Sequence, residues 1–176
     1  NYLASDQMRT IFNINSGWQF AKTAELPVQL PADWEAVNLP HSWNAIDGQD
    51  GGNDYFRGSC LYTKTLNRAA LPTADLYYIE FRGTKASADL FVNGKKLLYA
   101  DNMHRAWRVD IKEVALLGEN TVKIHFYSPS EYIARKNAEY PLFSANVGFT
   151  QLGVGHIRKG TSMFGWDWGP QLPDMG

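Results

Sequence analysis

The constraint that most limits the fold is a run of short period-two segments between Cys60 and Tyr127, broken by turn residues at close intervals. Cys60-Leu-Tyr-Thr-Lys-Thr-Leu66, Asp75-Leu-Tyr-Tyr-Ile-Glu-Phe81 and Ala86-Ser-Ala-Asp-Leu-Phe-Val92 read as strands. Asn93-Gly94 follows, the strongest short hairpin signal, because both residues accept the positive φ of a tight turn. Lys95–Tyr99, Ala106–Ile111 and Thr121–Tyr127 continue the series, the last two joined through a turn at Gly118-Glu119-Asn120. Upstream, Arg9–Asn15 alternates in part and leads past Gly17 to Trp18 and Phe20, and Glu35–Pro40 is a short strand closed by a proline. Many short strands with turns between them predict a two-sheet, all-β sandwich.

One helix interrupts the pattern. Ser128 is a natural cap, Pro129 fits the first helical position and Glu131 completes a capping box, so a helix is expected to about Glu139, ending before Pro141. Between Asn44 and Gly58 lies a Gly/Asp/Asn-rich loop without periodicity, a surface element of the kind that often carries function.

The chain has 176 residues, enough for one domain that buries roughly 70% of its unfolded surface without disulfides. Cys60 is the single cysteine and has no internal partner to bridge. With 17 Lys and Arg against 18 Asp and Glu, nothing points to nucleic acid. No stretch reaches the ~18 apolar residues of a membrane span. The chain opens on Asn1 rather than methionine, so its start is expected to be a processing or artificial boundary with any export signal already removed. A periplasmic or secreted location is favoured over a cytoplasmic one. The closing Pro173-Asp174-Met175-Gly176 is turn chemistry where a further strand is expected, which suggests truncation.

The sharpest candidate for chemistry is Trp166-Asp167-Trp168, framed by Gly165, Gly169 and Pro170. In an extended segment the two indoles share one face and Asp167 points the other way. Such a carboxylate can accept hydrogen bonds from two sugar hydroxyls while an indole packs on the ring face. Two core indoles and a backbone-capping Asp167 account for the same residues. In the acidic loop, Asp47, Asp50, Asn53 and Asp54 lack the spacing of a calcium loop and serve equally as sugar-facing oxygens or a solvated turn. His41, His104, His125 and His156 show no metal-ligand spacing, and a Cys60–His41 nucleophile pair has no activating context. His156-Ile-Arg-Lys159 is either a cationic brace for Asp167 or a polar strand face. Hydrolysis of a glycoside needs two carboxylates at a fixed separation, and no segment offers that pair. No metal or cofactor is expected.

Phe12–Phe20 and Trp34-Glu-Ala-Val-Asn-Leu-Pro-His-Ser-Trp-Asn44 resemble the opening of glycoside hydrolase family 2 enzymes. Asp47–Gly58 and Ala88–Lys95 resemble the β-galactosidases of that family. Asp101–Arg105, Glu119-Asn120, Ser128-Pro129, His156–Lys159 and Phe164–Pro170 are similar to its β-mannosidases. The resemblance implies a jelly-roll, galactose-binding-like β-sandwich domain spanning residues 1–176, followed in a parent chain by an immunoglobulin-like domain and a (β/α)₈ barrel. The barrel carries both catalytic glutamates of a retaining exo-β-glycosidase, so this portion alone is expected to be inactive. By that similarity, Trp166 and Asp167 match β-mannosidase positions that contact the terminal sugar. Asn53 and Asp54 match the β-galactosidase loop that approaches the same pocket. The implied partners are a terminal β-linked galactose or mannose and the parent's own barrel. A free-standing carbohydrate-binding module with a solvent-facing aromatic platform is the alternative, and a purely structural domain a third.

Overall fold

The computed structural model describes residues 9–23, 31–44, 56–85, 87–143 and 152–160. Among the described residues, eight strands form two sheets: β1 (Trp18–Thr23), β2 (Glu35–Val37), β3 (Ser59–Asn67), β4 (Tyr78–Phe81), β5 (Ala88–Val92), β6 (Lys95–Ala100), β7 (Trp107–Asp110) and β8 (Glu119–Phe126). The larger sheet runs β2-β1-β3-β8-β5-β6 and the smaller pairs β4 with β7, antiparallel throughout. This is the expected all-β sandwich.

Register explains the burial. Phe20, Tyr62, Ile124, Leu90 and Leu98 stand opposite one another across five strands and face the smaller sheet. With Trp18, Cys60, Val92, Val122 and, from β4, Ile79, they make the inter-sheet core. The next row, Ala21, Leu61, His125, Asp89 and Tyr99, points to the opposite face because side chains alternate. That face is covered too: Ala21, Leu61, His125 and Asp89 are all buried. A carboxylate and an imidazole therefore occupy a row otherwise suited to apolar side chains.

The local signals act as expected in the hairpin and the helix. Asn93 and Gly94 take φ of 50° and 80° between β5 and β6. The helix α1 (Pro129–Glu139) begins where Ser128 Oγ accepts from the Glu131 amide at 3.2 Å, with Pro129 in the first turn. Tyr140, before Pro141, is extended at φ −145° and ends it.

Two expectations are corrected. Residues 9–15 form no strand: the Asn15 amide donates to Asn13 Oδ1, a local turn that competes with sheet pairing, and Ile11 is exposed. The turn placed at Gly118-Glu119-Asn120 ends at Gly118, because Glu119 and Asn120 already pair with Asn67 and Leu66 in β3. The buried Asn120 side chain shapes the approach, accepting from the Leu116 amide at 2.6 Å and donating to the Leu116 and Gly118 carbonyls, both at 3.0 Å.

Candidate sugar-facing end of the sandwich

Lys22, Cys60, Phe126, Ala88 and Ala100 form the last row that crosses five strands at one end of the larger sheet, with only Thr23 and Ser59 paired beyond it. Here β3 and β5 begin and β6 and β8 stop. The two sequence-predicted sugar segments attach at this end. Trp166 and Asp167, and Asn53 and Asp54, lie outside the described residues, but the stems that carry them do not.

The first stem is Leu39–Asn44 with Phe56–Gly58. A cis peptide joins Leu39 to Pro40, and the Leu39 amide donates to Asn15 O at 2.7 Å. His41 Nδ1 lies 2.7 Å from Tyr62 Oη, and its ring meets Phe20 edge-on at 4.8 Å. Burial holds the His41 imidazole below its ordinary pKa, opposed by the Glu35 carboxylate, and pushes the Tyr62 phenol up. A neutral ring and a protonated phenol fit Tyr62 Oη donating to Nδ1. His41 thus orders its own turn and is not the base of a cysteine nucleophile; Cys60 is wholly buried in β3. Trp43 is buried with its ring edge-on to Phe126 at 5.5 Å. Asn44 Nδ2 donates to Phe56 O and the Phe56 amide donates to Asn44 Oδ1, both at 2.9 Å.

The second stem is residues 152–160. A 3₁₀ turn, Val154–His156, sits beside the end of α1, with His156 Nε2 3.0 Å from Tyr140 O. Arg158 then bridges Asn102 in parallel, and the Met103 amide donates to Arg158 O at 3.1 Å. The Gly160 amide points at the Met103 sulfur. His156–Lys159 is therefore a 3₁₀ turn running into a single bridge and not a strand face. The bridge follows directly on β6, so the chain that continues toward Trp166 departs from the same end as the acidic loop. Lys159 is buried and has an interaction partner.

Beside the first stem the sheets leave a cavity of about 140 Å³. Leu39–Ser42 and Arg82–Lys85 border it, and Tyr62, Leu90, Ile124 and Phe126 form much of its wall. It is mainly apolar, with polar side chains at one border.

The described carboxylates closest to buried chemistry are already engaged. Asp89 holds Lys96 Nζ at 2.6 Å and accepts from Tyr127 Oη at 2.5 Å. Glu80 is shared by Arg82 and Arg108 at 2.6 Å and 2.5 Å, which keeps its carboxyl below the usual range. Neither arrangement is an acid–nucleophile pair across a sugar bond. Among the described residues, no group of three or more His, Cys, Asp or Glu is placed to hold a metal ion, and no helix is long and apolar enough to cross a membrane. Asn44 lies in the Trp34–Asn44 stretch noted in the sequence, which gave no sign of its bonds to Phe56, and the buried row of Asp89 and His125 is revealed by pairing alone.

A family model described as glycosyl hydrolase 2 galactose-binding domain-like matches residues 54–176. A putative β-glucuronidase of Formosa agariphila is 30% identical over 141 residues, covering 77% of this chain and 17% of that protein. A probable β-mannosidase of Caenorhabditis elegans is 29% identical over 185 residues, covering 95% of this chain and 20% of that protein. The crystal structure of a β-D-mannosidase from Dictyoglomus thermophilum superposes with a TM-score of 0.72 at 24% identity, over 94% of this chain and 21% of that one. The chain spans about a fifth of the length of these relatives.

Proposed function

Because the chain belongs to the galactose-binding-like domain family of the family 2 glycosyl hydrolases, we propose that it is the non-catalytic, sugar-facing domain of a retaining exo-β-glycosidase. In this reading residues 1–176 are one domain, and the two catalytic carboxylates reside in a barrel elsewhere in the parent polypeptide. The domain supports that barrel and lends residues to the rim of its terminal-sugar pocket. Trp166 packs on the face of the sugar while Asp167 accepts from two of its hydroxyls, and Asn53 and Asp54 approach from the acidic loop. A β-mannoside is the leading substrate, given the curated relatives named β-mannosidase that match 93 to 95% of this chain. A β-galactoside is the second, on the resemblance of the acidic loop, and the relatives named β-glucuronidase add a third to test.

The observation that carries this reading is the common origin of the two stems. Two segments far apart in sequence, each expected from the family resemblance to carry sugar contacts, have stems rooted at one end of the sandwich. A structural domain has no need of that coincidence, whereas a shared sugar pocket requires it.

The test is turnover of p-nitrophenyl β-mannoside, β-galactoside and β-glucuronide by the full-length parent, beside residues 1–176 alone. The expected result is cleavage of one substrate by the parent and none by the isolated chain. Turnover by the purified chain itself, or none by the parent on all three, overturns the reading. Asp167→Ala in the parent is expected to cost about 1–3 kcal/mol in transition-state binding without loss of folded protein.

A further inference from the structure

We propose that the cavity beside the first stem is a binding site for one small aromatic ring that carries an oxygen, a simple phenol, and not for a sugar. The proposal does not depend on the sugar-facing reading of Trp166, Asp167, Asn53 or Asp54.

The cavity has a cause in the sequence. On the inner face of the larger sheet Leu98, Leu90 and Ile124 stand side by side, with Tyr62 beyond them. Two residues along the same strands, and so on the same face, Ala88 pairs with Ala100, both buried. Two methyl groups where the neighbouring row has two leucines leave space under the segment Arg82–Lys85. That segment is irregular, and a Cβ built on Gly83 meets nothing within 4 Å. The space is about 140 Å³ with a mainly apolar wall.

Size and lining select the ligand. An apolar cavity of about 150 Å³ lined by leucine, isoleucine and phenylalanine side chains stays dry and takes up benzene, whereas pockets for larger ligands start at about 300 Å³. One ring therefore fits and a disaccharide does not. A monosaccharide would bury hydroxyls against Ala88, Leu90, Leu98 and Ile124 without partners, which is unfavourable. The polar border supplies one directed donor. His41 lies on that border, and its Nδ1 accepts from Tyr62 Oη at 2.7 Å, so the proton of the neutral ring sits on Nε2. Among the described residues no acceptor takes that proton. A phenol oxygen can take it while the ring packs against Leu90 and Ile124 and the phenol's own proton faces water at the mouth.

Titration of the Leu90 and Ile124 methyl chemical shifts in the full-length parent tests this, with phenol as one probe and toluene as the other. Saturable shifts are expected with a Kd on the order of 1 mM, the range open to so small a ligand. Ala88→Leu fills the cavity and should weaken both probes at least about 10-fold. Ala100→Leu does the same from the opposite strand and serves if the first variant does not fold. His41→Phe keeps a ring and removes the donor, so phenol should weaken roughly 3- to 10-fold and toluene by no more than about 2-fold. No shift up to about 10 mM phenol, or undiminished binding in a folded cavity-filled variant, overturns the site. Equal losses for phenol and toluene in His41→Phe overturn the assignment of an oxygen-bearing ligand.

Discussion

Gly153 offers a way to separate backbone strain from packing at the base of the second stem. It sits at φ +83°, where a side chain is strained, and an added Cβ would lie 2.7 Å from Asn137 Cβ and 2.8 Å from its Oδ1. That oxygen accepts from the Leu142 amide at 3.0 Å and helps hold the segment after α1. Gly83 has a comparable φ of +72° with nothing within 4 Å of the same built atom. Gly83→Ala therefore isolates the left-handed conformation, at about 1 kcal/mol. Gly153→Ala adds the overlap with Asn137, about 1–2 kcal/mol, and the loss of its bond to Leu142, about 1 kcal/mol. The expected destabilisation is about 3–4 kcal/mol at Gly153 and about 1 kcal/mol at Gly83. Urea unfolding followed by tryptophan fluorescence measures both, and hydrogen exchange at the Leu142 amide reports the local bond. Equal losses in the two variants, with Leu142 equally protected, would refute the packing argument.

Three further outcomes follow from the buried rows and turns. Tyr127→Phe removes the donor to buried Asp89 and should cost about 2 kcal/mol by urea unfolding; burial, and then the same bond, push the phenol pKa up to about 12, which ultraviolet titration can check. Burial lowers the imidazole pKa of both His125 and His41, the nearby Asp89 and Glu35 carboxylates opposing. The unfolded chain then binds protons first, at about 6.5, so their contribution is complete above that pH and is lost as pH falls through the folded values. Urea midpoints should therefore decline from pH 7.5 to 5.5 with a shallower slope in His125→Phe, and a midpoint that rises on acidification would contradict the sign. Asn93→Ala loses a left-handed-tolerant residue and its bonds to Val114 O, Asn120 Oδ1 and the Thr121 amide, for about 2–3 kcal/mol, whereas Asn93→Gly should lose only the bonds, a difference readable in the same unfolding assay.

What the sequence determined by itself is what short-range physics controls. Asn93-Gly94 specifies a hairpin because few residues take those φ values. Ser128, Pro129 and Pro141 set the ends of α1 through one cap bond and two steric rules. The alternation in β3, β5 and β8 fixed which side chains could share a face. Tertiary structure decided what depends on pairing between distant residues. Trp107–Asp110 and Glu119–Phe126 are neighbours in the chain, yet β7 joins β4 in one sheet and β8 lies between β3 and β5 in the other. That choice puts Asp89 beside His125 and buries both, an arrangement invisible to a period-two pattern that sees only one strand at a time. The paired Asn44–Phe56 bonds and the common end of the two stems have the same origin. The Asn44 side chain gains its two bonds only when the chain returns Phe56 to it. Asn102 and Arg158 are 56 positions apart and meet only because the sheet carries one to the other.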